Sequence, residues 1–178
     1  MSLADRYLPY YTVEDREKWK GDWELIEGVP FALASPSIEH QRVISRLLQQ
    51  LQNSFEKCKE CEALPDLDYF ISEDTVVRPD VIVLCKKVKE KLTVPPDIIF
   101  EVVSPSSVKM DEHIKFDLYE REGIKFYVLI YPFKDRRHVK VFQLLNNKYK
   151  KVIETIDDTF EFTLEKCRFA LDFSKIWE

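Results

Sequence analysis

The sequence predicts an α/β fold: a mixed central β-sheet flanked by helices, with additional β-hairpins at both ends. Three observations point there. In "SPSIEHQRVISRLLQQLQNSFEKC" the residues Val43, Leu47, Leu48, Leu51 and Phe55 recur at helical spacing, with no glycine or proline after Ser37. "TVVRPDVIVLC" and "PDIIFEVVS" are almost continuous in apolar, β-branched residues, as strands buried on both faces are. Helical and strand-like segments then follow one another along the chain.

In chain order, "TVEDREKW" sets a glutamate behind Thr12 in the manner of a capping box and predicts a short helix from Val13 to Lys18. "DWELIEGVPFALAS" alternates about the turn "EG" and reads as a hairpin whose outward residues include Glu24. Ser37 is the expected N-cap of the long helix, about 19 residues in length. "EALPDLDYFIS", "TVVRPDVIVLC" and "PDIIFEVVS" follow as three strand-like runs, with "KKVKEKLTVPPD" as the most loop-like insertion. "SVKMDEHIKFDLYEREG" carries Val108, Ile114 and Leu118 at helical spacing and Gly123 as a stop. "KFYVLIYP" is a further buried strand, and the alternation about "NN" in "HVKVFQLLNNKYKKVIE" predicts a second hairpin with more strand beyond.

A chain of 178 residues suits a single domain with a core that folds without staples. No stretch approaches 18 consecutive apolar residues and the N-terminus lacks a signal-peptide pattern, so a cytoplasmic protein is expected. The net charge of -5 argues against a chain coated for nucleic acid. That average conceals a division: Ser104 to Lys151 holds eleven Lys or Arg against six Asp or Glu, so this segment is +5 and the remainder -10. A basic face that meets a polyanion would bind it in a salt-sensitive way.

Cysteines stand at 58, 61, 85 and 167, the first two as C-x-x-C. A closed zinc site needs four ligands, and neither a second C-x-x-C nor an H-x-x-x-H pair accompanies this one; His40, His113 and His138 are scattered. A thioredoxin-like motif sits at an electropositive helix start, whereas this pair closes a helix. The expectation is an inert or locally oxidised Cys58 and Cys61, with Cys85 and Cys167 as small core residues.

Two acids stand out. Asp80 opens a buried strand after a proline, and Glu101 lies inside the next one. An isolated ionised carboxylate is costly to desolvate, so each acid needs a cation. If the strands are neighbours, both carboxylates emerge together and suit a hard ion such as Mg2+; otherwise each is solvated, or paired with Arg78 or a lysine. Ser104, Ser106 and Ser107 stand where the strand stops, bringing hydroxyls and helix-terminal amides towards Glu101 in a setting that tolerates phosphate. Asp111, Lys115 and Tyr119 form one stripe at i, i+4 and i+8 that can present an ammonium to the acids, or remain a solvated Asp-Lys pair.

The combined pattern E-L-x-x-G, H-Q, P-D, E-V-x-S-P-S, D-x-x-x-K-x-x-x-Y and G, from about Trp23 to Pro132, resembles a family of bacterial proteins described as "putative restriction endonucleases", similar in fold to the PD-(D/E)XK nuclease superfamily. The resemblance implies a restriction-endonuclease-like core with a four-stranded mixed sheet, residues 133–178 being a C-terminal β extension. It implies a metal site from Asp80 and Glu101 taking Mg2+ or Mn2+, and a Mg2+-dependent endonuclease acting on DNA. The nuclease pattern places a lysine two residues after the second acid; Val103 stands there, and Lys115 is the position from which the neighbouring helix supplies one. Tyr131 occupies a place where relatives carry an acid. Glu24 and His40 also belong to the pattern, Glu24 as a third acid or a cross-strand ion pair, His40 as a phosphate contact or a capping histidine. In the implied mechanism Lys115 orients or deprotonates the attacking water. The alternative is a catalytically inactive module of the same fold that binds nucleic acid or a protein partner. A homodimer is expected, since cutting both strands of a duplex takes two sites.

Overall fold

The computed structural model describes residues 2–177. A first short helix, α1 (Leu3–Tyr7), precedes α2 (Val13–Arg16). Thr12 caps α2, and the reciprocal partner of the capping box is Asp15, not a glutamate; the helix ends at Arg16 rather than Lys18. The first hairpin pairs β1 (Trp23–Ile26) with β2 (Val29–Ala32). Its turn holds Glu27 at φ 49 and Gly28 at φ 79, the doubly left-handed form that matches strand twist.

Ser37 accepts a hydrogen bond from the His40 amide and starts α3 (Ile38–Phe55), which buries Val43, Ile44, Leu47, Leu51 and Phe55. The next two strand-like runs each divide. Asp66, at φ 57, separates β3 (Glu62–Pro65) from β4 (Tyr69–Ser72). Pro79, which has no amide proton to donate, separates β5 (Thr75–Val77) from β6 (Val81–Leu84). β7 (Ile98–Val102) leads through a π-helical turn, Met110–Ile114, into α4 (Lys115–Arg121). β8 (Phe126–Tyr131) is followed by β9 (His138–Leu145) and β10 (Lys148–Thr155), joined at Asn146 and Asn147 with φ 52 and 60. β11 (Thr159–Thr163) and β12 (Arg168–Asp172) form a separate hairpin before a 3-10 turn, Phe173–Ile176.

The central sheet runs β10-β9-β8-β7-β6-β3, mixed because β7 and β8 are parallel while their other neighbours are antiparallel. It has six strands rather than the four implied by resemblance, with β3 at one edge and β10 at the other. A smaller sheet runs β2-β1-β5-β4. One face of the central sheet, with Val83, Phe100 and Val128, packs against Val43, Leu47 and Leu51 of α3 and against Phe162 and Leu171 of the last hairpin. The other face, with Ile82, Ile99, Val103 and Leu129, meets Leu118 and Tyr119 of α4 and Ile26 and Val77 of the smaller sheet. Strand alternation decides the rest. Phe100 and Val102 face α3, so Glu101 between them faces α4.

The cysteines depart from expectation. Cys58 pairs with Cys167 and Cys61 with Cys85, so the C-x-x-C is not closed on itself and neither distal cysteine is a lone core thiol. The end of α3, the end of β6 and the β11-β12 turn converge there. Elsewhere Gln50 of α3 donates to the Asp172 carbonyl and accepts from the Asp172 amide, both at 3.1 Å. Gln50→Ala is expected to cost about 1–2 kcal/mol in urea denaturation and to make the C-terminal segment more protease-sensitive, because two neutral hydrogen bonds are lost at one point.

Candidate functional site

The acids meet where β6 begins, β7 ends and the π turn crosses them. β6 and β7 are antiparallel with Val81 opposite Phe100, which sets Asp80 beside Glu101. Asp80 Oδ2 accepts the Val102 amide at 2.6 Å, and the Asp80 amide is 3.4 Å from Glu101 Oε2. The Asp80 side chain keeps 20% of its surface in solvent, whereas Glu101 is 3% exposed overall. The two acids thus define a mouth and a floor.

The floor carries its cation from α4. Lys115 Nζ is 2.8 Å from Glu24 Oε1 and 2.9 Å from Glu101 Oε1, and the Tyr119 hydroxyl donates to the same Glu101 oxygen at 3.0 Å. Glu24 Oε1 also accepts the Arg78 amide at 2.7 Å. The π turn helps set this stripe. The Lys115 amide bonds back to the Met110 carbonyl instead of the Asp111 carbonyl, and the Tyr127 hydroxyl donates to the latter at 2.7 Å. Asp111, Lys115 and Tyr119 all end up buried, which rules out the solvated Asp-Lys pair.

Four acids, Glu24, Asp80, Glu101 and Asp111, therefore surround one lysine. Burial, opposed by Lys115 and aided by the Asp80, Asp111 and Glu24 charges, holds the Glu101 carboxyl well above the usual carboxylate range. Burial likewise pushes Asp111 up to about 6 against the pull of Lys115 and the Ser107 hydroxyl. Lys115 itself loses ground to burial but is carried well above its ordinary value by Glu101, Glu24 and Asp111, so it stays an ammonium at neutral pH. His40 Nε2 lies 3.3 Å from Asp80 Oδ2, and although burial works against its charge, Asp80 raises its pKa overall. His40 Nδ1 is buried without a hydrogen-bond partner among the described residues.

Because the native Asp111 pKa lies above its unfolded value, the cluster's favourable contribution is full below the ordinary aspartate range and is lost as pH rises towards about 6. In EDTA, Asp111→Asn is expected to gain on the wild type by roughly 2 kcal/mol between pH 4.5 and pH 7 in urea denaturation. Equal pH slopes would refute the burial of a protonating acid.

Several expectations need correction. Glu24 does not face outward: it is 2% exposed, because β1 turns that side chain onto Lys115. Of the serines, Ser107 reaches the cluster, donating to Asp111 Oδ2 at 2.5 Å, while Ser104 and Ser106 bond each other at 3.1 Å and Ser106 is exposed. Arg78, a possible partner of the acids, sends its guanidinium to Asp68 at 2.8 Å and Asp22 at 2.9 Å. Tyr131 donates to Glu112 at 2.6 Å. The Arg78 amide and the Tyr127 hydroxyl had no signal in the sequence, since a backbone donor and a buried strand tyrosine look like ordinary scaffold.

The family model described as "Uma2: Putative restriction endonuclease" matches residues 5–165. The chain belongs to that family. In fold, this Uma2-family protein is similar to a crystal structure described as a "putative nuclease belonging to DUF820" from Anabaena variabilis ATCC 29413, with a TM-score of 0.76. The two share 16% identity, the match covering 94% of this chain and 97% of that one. No protein with a curated description matches the sequence significantly. At 16% identity the neighbour speaks for the architecture of the Uma2 chain, and the chemistry rests on its own side chains.

Proposed function

We propose that this Uma2-family protein is a Mg2+-dependent endonuclease that hydrolyses phosphodiester bonds in DNA, with Asp80, Glu101 and Lys115 as its catalytic residues. The observation that carries the reading is the buried Lys115 ammonium clasped by Glu24 and Glu101, behind an Asp80 that keeps one edge in solvent. The donor set fits a hard divalent cation. Its ligands are oxygens, and four acids face one lysine and a histidine, leaving a negative surplus that another cation would neutralise. Among the described residues the bonds to Asp80 go to Oδ2 and the short bonds to Glu101 go to Oε1, so each carboxylate retains an oxygen for the ion.

Asp80 and Glu101 would hold Mg2+ or Mn2+, which would supply Lewis-acid chemistry at a scissile phosphate. Lys115, protonated and fixed by two acids, offsets charge as the phosphorus becomes pentacoordinate; its raised pKa suits this electrostatic role and not that of a base. Tyr119 and Glu24 orient Lys115 and Glu101. His40, at the mouth against Asp80, is placed to donate to an entering phosphate oxygen. Val103 is fully buried among apolar neighbours, so the helical lysine takes the place of a strand lysine without opening the core. A homodimer would give a duplex two such sites.

Supercoiled plasmid incubated with the protein and Mg2+ is expected to be nicked and linearised, and EDTA to stop it. Plasmid left intact with both Mg2+ and Mn2+, while the protein still shifts DNA in a gel, would establish the non-catalytic module instead.

A further inference from the structure

The four cysteines come from three places far apart in sequence. Cys58 and Cys61 close the end of α3, the Cys61 amide donating to the Cys58 carbonyl at 3.3 Å. Cys85 follows β6, and Cys167 sits in the β11-β12 turn, where the Leu164 amide donates to the Cys167 carbonyl at 2.8 Å. The sulfurs of Cys58, Cys61 and Cys167 all lie within 4.8 Å of one another, and the Cys85 sulfur is bonded to that of Cys61, so the fourth sulfur adjoins the group at Cys61. We propose that these four cysteines, as thiols, form a closed tetrahedral Zn2+ site that anchors the C-terminal hairpin to the body of the protein.

Four thiolates around zinc at about 2.3 Å stand about 3.8 Å apart, a spacing inside the 4.8 Å that spans the Cys58, Cys61 and Cys167 sulfurs. Two disulfides alone do not require both pairs to share one point, whereas one metal ion does. The C-x-x-C lacks a second C-x-x-C, but the fold completes the ligand set with single cysteines from two other elements. Burial suits a closed site: Cys61, Cys85 and Cys167 are 5 to 6% exposed. Charge suits it as well. Within two residues of the ligands, Lys57, Lys59, Lys86, Lys87, Lys166 and Arg168 outnumber Glu56, Glu60, Glu62 and Glu165, and this net positive surround offsets the double negative charge of a four-thiolate zinc centre.

The structural need is evident in the topology. β11 and β12 pair only with each other, so among the described residues no strand ladder joins this hairpin to either sheet. The zinc site lies at the far end of β6 from Asp80, roughly 15 Å away at the rise of a strand. With all four positions filled by protein, the site leaves none open for substrate and is independent of the proposed nuclease reaction.

Protein purified with a thiol reductant is expected to hold about one zinc per chain by elemental analysis, and to show four reactive thiols after unfolding in EDTA. Replacing Zn2+ by Co2+ should give the visible ligand-field bands of a tetrahedral thiolate site. Cys85→Ser and Cys167→Ser should each reduce the bound metal severalfold, while Asp80→Ala leaves it at one per chain. Reduced wild-type protein that takes up neither Zn2+ nor Co2+ would overturn the proposal, as would loss of the zinc in Asp80→Ala. The Co2+ spectrum of the wild type keeps the test decisive even if a cysteine variant fails to fold.

Discussion

Lys115→Met is expected to destabilise the protein by about 3–5 kcal/mol at pH 8 and to remove plasmid cleavage, the largest combined effect of any single change at the site. Lys115 is 4% exposed and is the shared partner of Glu24 and Glu101. Methionine fills its volume but leaves two buried carboxylates without their cation. The acids then must ionise against burial and mutual repulsion or take up protons; the folded pKa of Glu101, already raised by burial, rises further without its lysine, so the penalty shrinks as pH falls. Urea denaturation at pH 8 and pH 5 should show the loss falling by half or more. Adding Glu101→Gln to Lys115→Met should restore part of the stability at pH 8 but no cleavage. A loss that is independent of pH would show that Lys115 acts through packing alone.

Asp80→Ala is expected to behave in the opposite way, with cleavage reduced at least about 10^3-fold and stability changed by no more than about 1–2 kcal/mol. The small stability term follows from two opposed effects. The Val102 amide loses its acceptor, while Glu101 loses a neighbouring negative charge that raises its pKa. His40 provides a readout that does not depend on catalysis. Against the opposing effect of burial, Asp80 does most to raise the His40 pKa, ahead of Asp111 and Asp66, so removing it should move the histidine titration downward in NMR. Mg2+ is expected to raise the Tm of the wild type, and that rise should vanish with the carboxylate. An Asp80→Ala protein that cleaves plasmid like the wild type would sink the assignment of this acid as a metal ligand.

Much of the frame was legible because it is local. The helix from Ser37, the turns "EG" and "NN", and the buried runs at Val81, Ile98 and Phe126 announce themselves through caps, positive-φ residues and apolar continuity. The resemblance across Trp23 to Pro132 also drew attention to Asp80, Glu101 and Lys115 together. Periodicity failed where a single residue breaks a ladder: Pro79 sends β5 and β6 to different sheets although the run "TVVRPDVIVLC" reads as one. It failed again at Glu24, since a polar residue in an alternating hairpin reads as solvent-facing until a second layer covers it. The cysteines failed for a third reason. Ligand spacing can be counted along a chain only when the ligands are near in sequence, and Cys58 and Cys167 are 109 residues apart.

By itself, then, the sequence determined the inventory: an α/β chain with two acids on buried strands, a lysine-bearing helix and a C-x-x-C at a helix end. Only the tertiary structure decided which of those charges face one another. The physical reason is that hydrogen bonding and burial within an element follow near neighbours, whereas the pairing of Lys115 with Glu24 depends on a hairpin and a helix 91 residues apart being pressed together over one sheet face. The same packing brings four cysteines together and leaves Asp80 at the mouth with solvent on one side.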